Sequence, residues 1–186
     1  MAKFYDCLTP DLRQFIAAQH LFFVATACAQ GRVNLSPKGL STFRCLSETE
    51  VGYLDLTGSG NETAGHLAHD GRITFMFCSF DKEPKILRLY GRGRAIKPWQ
   101  PEWAHYVSHF DQQLGQRQII VQQIESVQTS CGFSIPFMQY MGDRPTLDEW
   151  ASKKGEAGIA EYWKNRNQKT IDGMDTGLVE TISPDE

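Results

Sequence analysis

No stretch of this chain approaches the roughly 18 consecutive apolar residues that a membrane-spanning helix needs, so no membrane segment is expected. Neither sign of charge is in excess. With a net charge of −3 and scattered basic residues, the chain offers no electrostatic footprint for nucleic acid. The five cysteines, Cys7, Cys28, Cys45, Cys78 and Cys131, include no C-x-x-C pair. That argues against a zinc knuckle or a disulfide framework and fits reduced thiols in a cytoplasmic protein. The opening MAKFYDCLTPDLRQ carries acidic and polar groups where an export signal needs an apolar core. No Ser-His-Asp set and no pair of carboxylates stands out. His105 and His109 have helical spacing, but they lack the glutamate of H-E-x-x-H and an evident third ligand, so no metal is expected. Cys131 reads as a buried small hydrophobe rather than a nucleophile.

What is present is a chain of 186 residues with 41% apolar and 22% charged content, enough for one domain with a sizeable core. Thr9-Pro10-Asp11 opens a helix with Leu12, Phe15 and Ile16 on one face. Six strands are expected. They are Leu21 to Cys28, Arg32 to Leu46 with Pro37 at a bulge or edge, Val51 to Thr57, Arg72 to Phe80, Lys85 to Ile96, and Gln118 to Gln128. Gly91 and Gly93 point to a close approach or a strong bend in the fifth. A helix is predicted from Pro98 to Gly115. Thr146-Leu147-Asp148-Glu149 reads as a capping box opening another that runs to about Arg166. Few and short helices between strands favour a small barrel over a doubly wound sheet. The chain divides into a barrel over 1–140 and a helical appendage over 141–186, packed on the barrel or on a dimer partner.

One stretch has the makings of an anion site. In YLDLTGSGNETAGHL, Tyr53 to Leu67, a strand runs through a glycine-rich turn into a helix. Gly58 and Gly60 leave no side chain over the backbone amides, and Ser59, Asn61 and Thr63 add polar groups where a helix leaves its first N–H groups unpaired. Ser59-Gly60-Asn61-Glu62 is equally an S-x-x-E capping box, which would satisfy those donors with no ligand. Glu62 suits the helix dipole but repels a second anion.

RVNLSPKG, YLDLTGSGNETAGHL, GRITFMF and ILRLYGRGRAI, in this order after an N-terminal helix, resemble the flavin-binding split-barrel proteins related to pyridoxamine 5′-phosphate oxidase, over about residues 8 to 130. The resemblance implies a mainly β fold with flanking helices, a six-stranded split barrel, and a homodimer with FMN in the groove between two barrels. It implies that Thr57, Ser59, Gly60, Asn61 and Thr63 hold the FMN phosphate, assisted by Ser36, Lys38 and Arg44. It implies an FMN-dependent oxidoreductase acting on a small molecule, or alternatively a non-catalytic flavin- or haem-binding protein. Two departures stand out. Glu62-Thr63 replaces the Arg-Lys pair of the oxidase, and TIDGMDTGL replaces its arginine- and histidine-bearing C-terminal motif, so its substrate is not implied. Apolar and aromatic residues on strands and tail, among them Phe133, Phe137, Met138, Tyr140, Trp150 and Trp163, are more than one small barrel can cover and fit a homodimer.

Overall fold

The computed structural model describes residues 2–178. In chain order the elements are β1 (Lys3–Tyr5), α1 (Pro10–Ala17), β2 (Phe22–Thr26), β3 (Asn34–Lys38), β4 (Phe43–Cys45) and β5 (Glu50–Leu56). There follow α2 (Glu62–His69), β6 (Arg72–Cys78), β7 (Lys85–Ile96), α3 (Trp103–Val107), β8 (Gln116–Cys131) and α4 (Thr146–Arg166). The Thr9 hydroxyl accepts from the Leu12 N–H at 3.4 Å, and Pro10 supplies the fixed φ of a first helical turn.

Among the described residues, eight strands form one sheet in the order β3-β2-β6-β7-β8-β5-β4, with β1 added to β8. The expected strand from Arg32 to Leu46 is two strands, and they lie at opposite ends of that order. Only five residue steps separate Lys38 from Phe43, so the two ends can be no more than about 18 Å apart, and the sheet has to curl into a half-barrel. The reversal runs through Leu40 and Ser41, both left-handed at φ 59 and 52, a conformation costly for Leu. Pro37 sits on edge strand β3, where its missing donor costs nothing. A Cβ on Gly91 would lie 2.0 Å from the Gln123 carbonyl, beside a register shift between Tyr90 and Gly91, so glycine is required where β7 and β8 bend together.

The concave face holds an aromatic cluster in which Phe22, Phe43, Tyr53, Phe75 and Phe77 meet largely edge to face, closed at one end by Leu12, Phe15 and Ile16 of α1. A second core places Leu54, Ile96, Ile119 and Val121 against Tyr106 and Phe110. The helix predicted from Pro98 to Gly115 is reduced to five residues. Trp, His, Tyr and Val are indifferent helix formers, and little more than one turn suffices to pack Tyr106 against the second core. Neither S-x-x-E nor T-x-x-E forms a capping box: α2 and α4 begin after Asn61 and Pro145 with no side-chain cap. Gly155, at φ 66, breaks α4 into two helical pieces. Cys131, expected to be buried, is exposed at the end of β8. None of the helices among the described residues is long and apolar enough to cross a membrane.

Candidate functional site

Asp55 organises the glycine-rich turn from behind. It is a carboxylate on an otherwise apolar strand, 1% exposed, and such a group is tolerated only when paired. Lys38 Nζ reaches its Oδ1 at 3.1 Å, while Arg117 Nε and Gln118 Nε2 both donate to Oδ2 at 2.7 Å. Lys38 comes from β3 and Asp55 from β5, so this ion pair also ties the barrel's two ends together. Burial alone would raise the Asp55 carboxyl; Arg117, then Lys38, and the hydrogen bonds from Arg117 and Gln118 more than offset it and hold the group well below the usual carboxylate range.

Two neighbours on one strand should point to opposite faces, yet Arg117 and Gln118 reach the same oxygen. A bulge explains this. Asp55 pairs with Gln118 and Leu56 with Gln116, leaving Arg117 as the extra residue, its side chain re-aimed toward Asp55.

The same groups continue into the turn. Arg117 Nη1 donates to the Gly60 carbonyl at 2.9 Å and to Asn167 Oδ1 at 3.0 Å, and Asn167 Nδ2 donates to the Gly58 carbonyl at 3.1 Å. With every peptide trans, an N–H points opposite to the carbonyl of its own peptide unit. Holding the carbonyls of Gly58 and Gly60 inward therefore turns the N–H groups of Ser59 and Asn61 outward. A Cβ on Gly58 would meet nothing nearer than 3.9 Å, so this glycine leaves space over the turn. Asn61 is 2% exposed, accepts from Gln118 at 2.7 Å through Oδ1, and has an Nδ2 with no protein partner. Lys38 and Arg117 against Asp55 leave a net positive charge behind these donors. Anions are stabilised at such a helix start, and the residues fit a phosphate group.

The structure brings together most of the residues named from sequence. On β3, Asn34, Ser36 and Lys38 are half-buried while Leu35 and Pro37 point outward. Ser59 is exposed at the tip of the turn, Gly60 is held from behind, and Thr63 lies buried in the first turn of α2. Thr57 is committed elsewhere, donating to the Gly115 carbonyl at 2.7 Å and accepting from Trp163 Nε1 at 2.8 Å, so its proton is unavailable to a ligand. Arg44 is not brought to the turn. It pairs across to Gly52, five residues or about 16 Å before Thr57 along β5, and its guanidinium serves the carbonyls of His109, Ser41 and Phe43 and the Asp111 carboxylate. It lines a cavity of about 400 Å³ with Arg13, His20, Phe22, Phe43 and Phe77, none of them from the turn. Arg88 of β7 donates to Ser130 Oγ at 3.2 Å.

Reading the sequence alone missed Arg117, Gln118, Asn167 and Trp163. The one signal pointing to them was Asp55, whose charge on an apolar strand demands cations that only the fold can name. Glu62 is also placed by the fold: both carboxylate oxygens accept from the Ile171 N–H, at 3.0 and 3.1 Å, which draws the carboxylate toward the C-terminal segment. That segment is bound to the barrel of its own chain. Lys97 Nζ donates to Gln118 Oε1 and to the Thr176 carbonyl, Asp172 pairs with Arg32, and Leu178 is buried.

A curled antiparallel half-barrel with flanking helices and a glycine-rich turn between strand and helix defines the split-barrel class of protein. Residues 8–131 match the family model described as Pyridoxamine 5′-phosphate oxidase, and the chain belongs to that family. A pyridoxamine 5′-phosphate oxidase family protein of Aspergillus flavus, ustO, is 40% identical over 194 aligned positions that cover 94% of this chain and 77% of that protein. Among solved structures, a candidate pyridoxamine 5′-phosphate oxidase from Lactobacillus delbrueckii superposes with a TM-score of 0.54 at 15% identity, covering 66% of this chain and 94% of the other. HupZ of Group A Streptococcus superposes with a TM-score of 0.50 at 20% identity, covering 64% and 91%. At these identities the structures speak for the fold alone.

Proposed function

We propose that this protein binds FMN, with its phosphate on the turn from Gly58 to Thr63, and acts in the cytoplasm as an FMN-dependent oxidoreductase on a small molecule. The observation that carries the reading is the turn itself: carbonyls held inward by Arg117 and Asn167, N–H groups outward, and net positive charge behind. The N–H groups of Ser59 and Asn61 and the hydroxyls of Ser59 and Thr63 would hold the phosphate oxygens, with Lys38 the nearest flexible cation. Bound FMN supplies the hydride-accepting chemistry through its isoalloxazine ring. The protein's own task is then to bind, orient and shield. Belonging to a family described as an oxidase supports turnover. That Lys38, Asp55 and Arg117 are engaged with one another behind the turn favours a second reading, a non-catalytic flavin or haem carrier.

We propose further that the working form is a homodimer. Edge strand β3 and the residue before it expose Leu35 and Val33, and the loop after β8 exposes Phe133, Phe137 and Met141, each by more than 60%. Apolar area of this kind marks a contact surface.

The absorption spectrum of the purified protein and an FMN titration test the reading. Flavin bands or saturable FMN binding are expected, whereas a Soret band indicates haem. Lys38→Ala should weaken FMN at least about tenfold, since a charge-assisted hydrogen bond contributes about 1.5 to 3 kcal/mol. Unchanged affinity would place the phosphate elsewhere, and bound flavin that no reductant or oxidant turns over would favour the carrier.

A further inference from the structure

Beside the turn lies a chain of polar side chains that none of the contacts behind the turn requires. Asn34 of β3 donates through Nδ2 to Thr63 Oγ1 and to Thr26 Oγ1, both at 3.1 Å, and accepts from Ser36 Oγ at 3.0 Å. Thr26 Oγ1 lies 3.0 Å from His66 Nδ1 in the interior. The Tyr53 hydroxyl, fully buried, lies next to Thr63 without a well-aligned bond to any protein group. These six residues come from four elements that converge only in the folded barrel: β2, β3, β5 and α2.

Counting protons gives the chain a direction. An amide NH₂ has two protons, and both of Asn34's are engaged by threonine oxygens. Each threonine therefore keeps its own proton. That of Thr26 has one acceptor in reach, His66 Nδ1, which places the histidine proton on Nε2. Thr63 Oγ1 likewise accepts from Asn34, so its own proton is left to give.

We infer that Asn34 is a positioning residue that fixes the direction of this chain, so that Thr63 meets an anion on the turn as a hydrogen-bond donor. The inference rests on the flavin reading above for the identity of the ligand, and it makes Asn34 a determinant of preference for the phosphorylated flavin over riboflavin. Were the Asn34 amide reversed, its oxygen would draw both threonine protons, Thr63 would offer a phosphate only lone pairs, and His66 would carry its proton on Nδ1.

The test uses the full chain in two measurements. The first is the ¹⁵N NMR tautomer of His66 in the ligand-free protein, its signal identified by its loss in His66→Gln. A proton on Nε2 is expected, and a proton on Nδ1 overturns the proposal whether or not flavin binds. The second compares Kd for FMN and riboflavin in Asn34→Leu, Thr63→Val and the double variant. Each single variant should weaken FMN about tenfold, as loss of a bond to a charged group does, and change riboflavin less than about threefold. The double variant should be no weaker than Thr63→Val, because Asn34 acts through Thr63. Losses that multiply in the double variant, or that fall equally on riboflavin, reject the positioning role. Failure of both flavins to bind, with the His66 proton on Nε2, defeats the flavin reading and leaves the direction of the chain standing.

Discussion

Glu62 carries the conflict between capping and phosphate binding, and its position decides it. The local pattern assigns the carboxylate to the Ser59 N–H, but it accepts instead from Ile171 in the C-terminal segment. Glu62→Gln retains one acceptor for that N–H, so a stability loss of about 1 kcal/mol is expected in chemical denaturation, the difference between a charged and a neutral hydrogen bond. FMN affinity should change less than about threefold. Tightening beyond tenfold, about 1.4 kcal/mol of relieved repulsion, would place the carboxylate against the phosphate. Lys97 offers a residue-scale test in pH. It is 6% exposed, and burial lowers its pKa to about 8, with Asp55 pulling the other way. The unfolded chain, with an ordinary lysine near 10.5, binds more protons between these values, so folding stability rises with pH across about 8 to 10.5. Relative to Lys97→Met, the wild type should gain on the order of 3 kcal/mol over that window. A difference that stays flat with pH would show that Lys97 is not buried as a cation.

At the scale of elements, strands were more legible than helices. The alternation of Leu87 and Leu89 with Ile86, Arg88 and Tyr90 gives β7 its observed bounds, because a half-buried strand writes its two faces into alternate residues. Helix starts were less so. S-x-x-E and T-x-x-E are sound local signals, yet neither closes, since tertiary partners such as the Ile171 N–H compete for the same side chains. The bulge at Arg117 left no local mark, although it is what brings two neighbouring side chains to one carboxylate. The glycine pair in β7 was legible, and Gly91 is the position to test. Gly91→Ala puts a methyl 2.0 Å from a backbone carbonyl that cannot rotate away, so β7 and β8 must separate. A loss of about 3 kcal/mol or more is expected, at the upper end of overpacking effects. A loss near 1 kcal/mol would mean that the bend relaxes freely.

The whole molecule is where the homodimer is tested. Exposed side chains on β3 and on the loop after β8 predict a dimer by analytical ultracentrifugation at micromolar concentration, and replacing Leu35 and Phe137 by Asp should shift it toward monomer with little loss of monomer stability. A wild-type monomer would sink the dimer and with it a cofactor groove shared between two barrels.

The β-rich class, most strands, the helix start at Thr9 and the turn from Gly58 to Thr63 are legible without the fold, because each is encoded by residues close together in the chain. Folding alone splits 32–46 between the two edges of the curled sheet, brings Lys38 rather than Arg44 to the turn, and sets Arg117, Gln118 and Asn167 behind it. The buried charge of Asp55 explains why. A carboxylate removed from water must find cations and donors wherever the fold can deliver them, and here they arrive from 17 residues before it to 63 residues after it. No local pattern spans such distances.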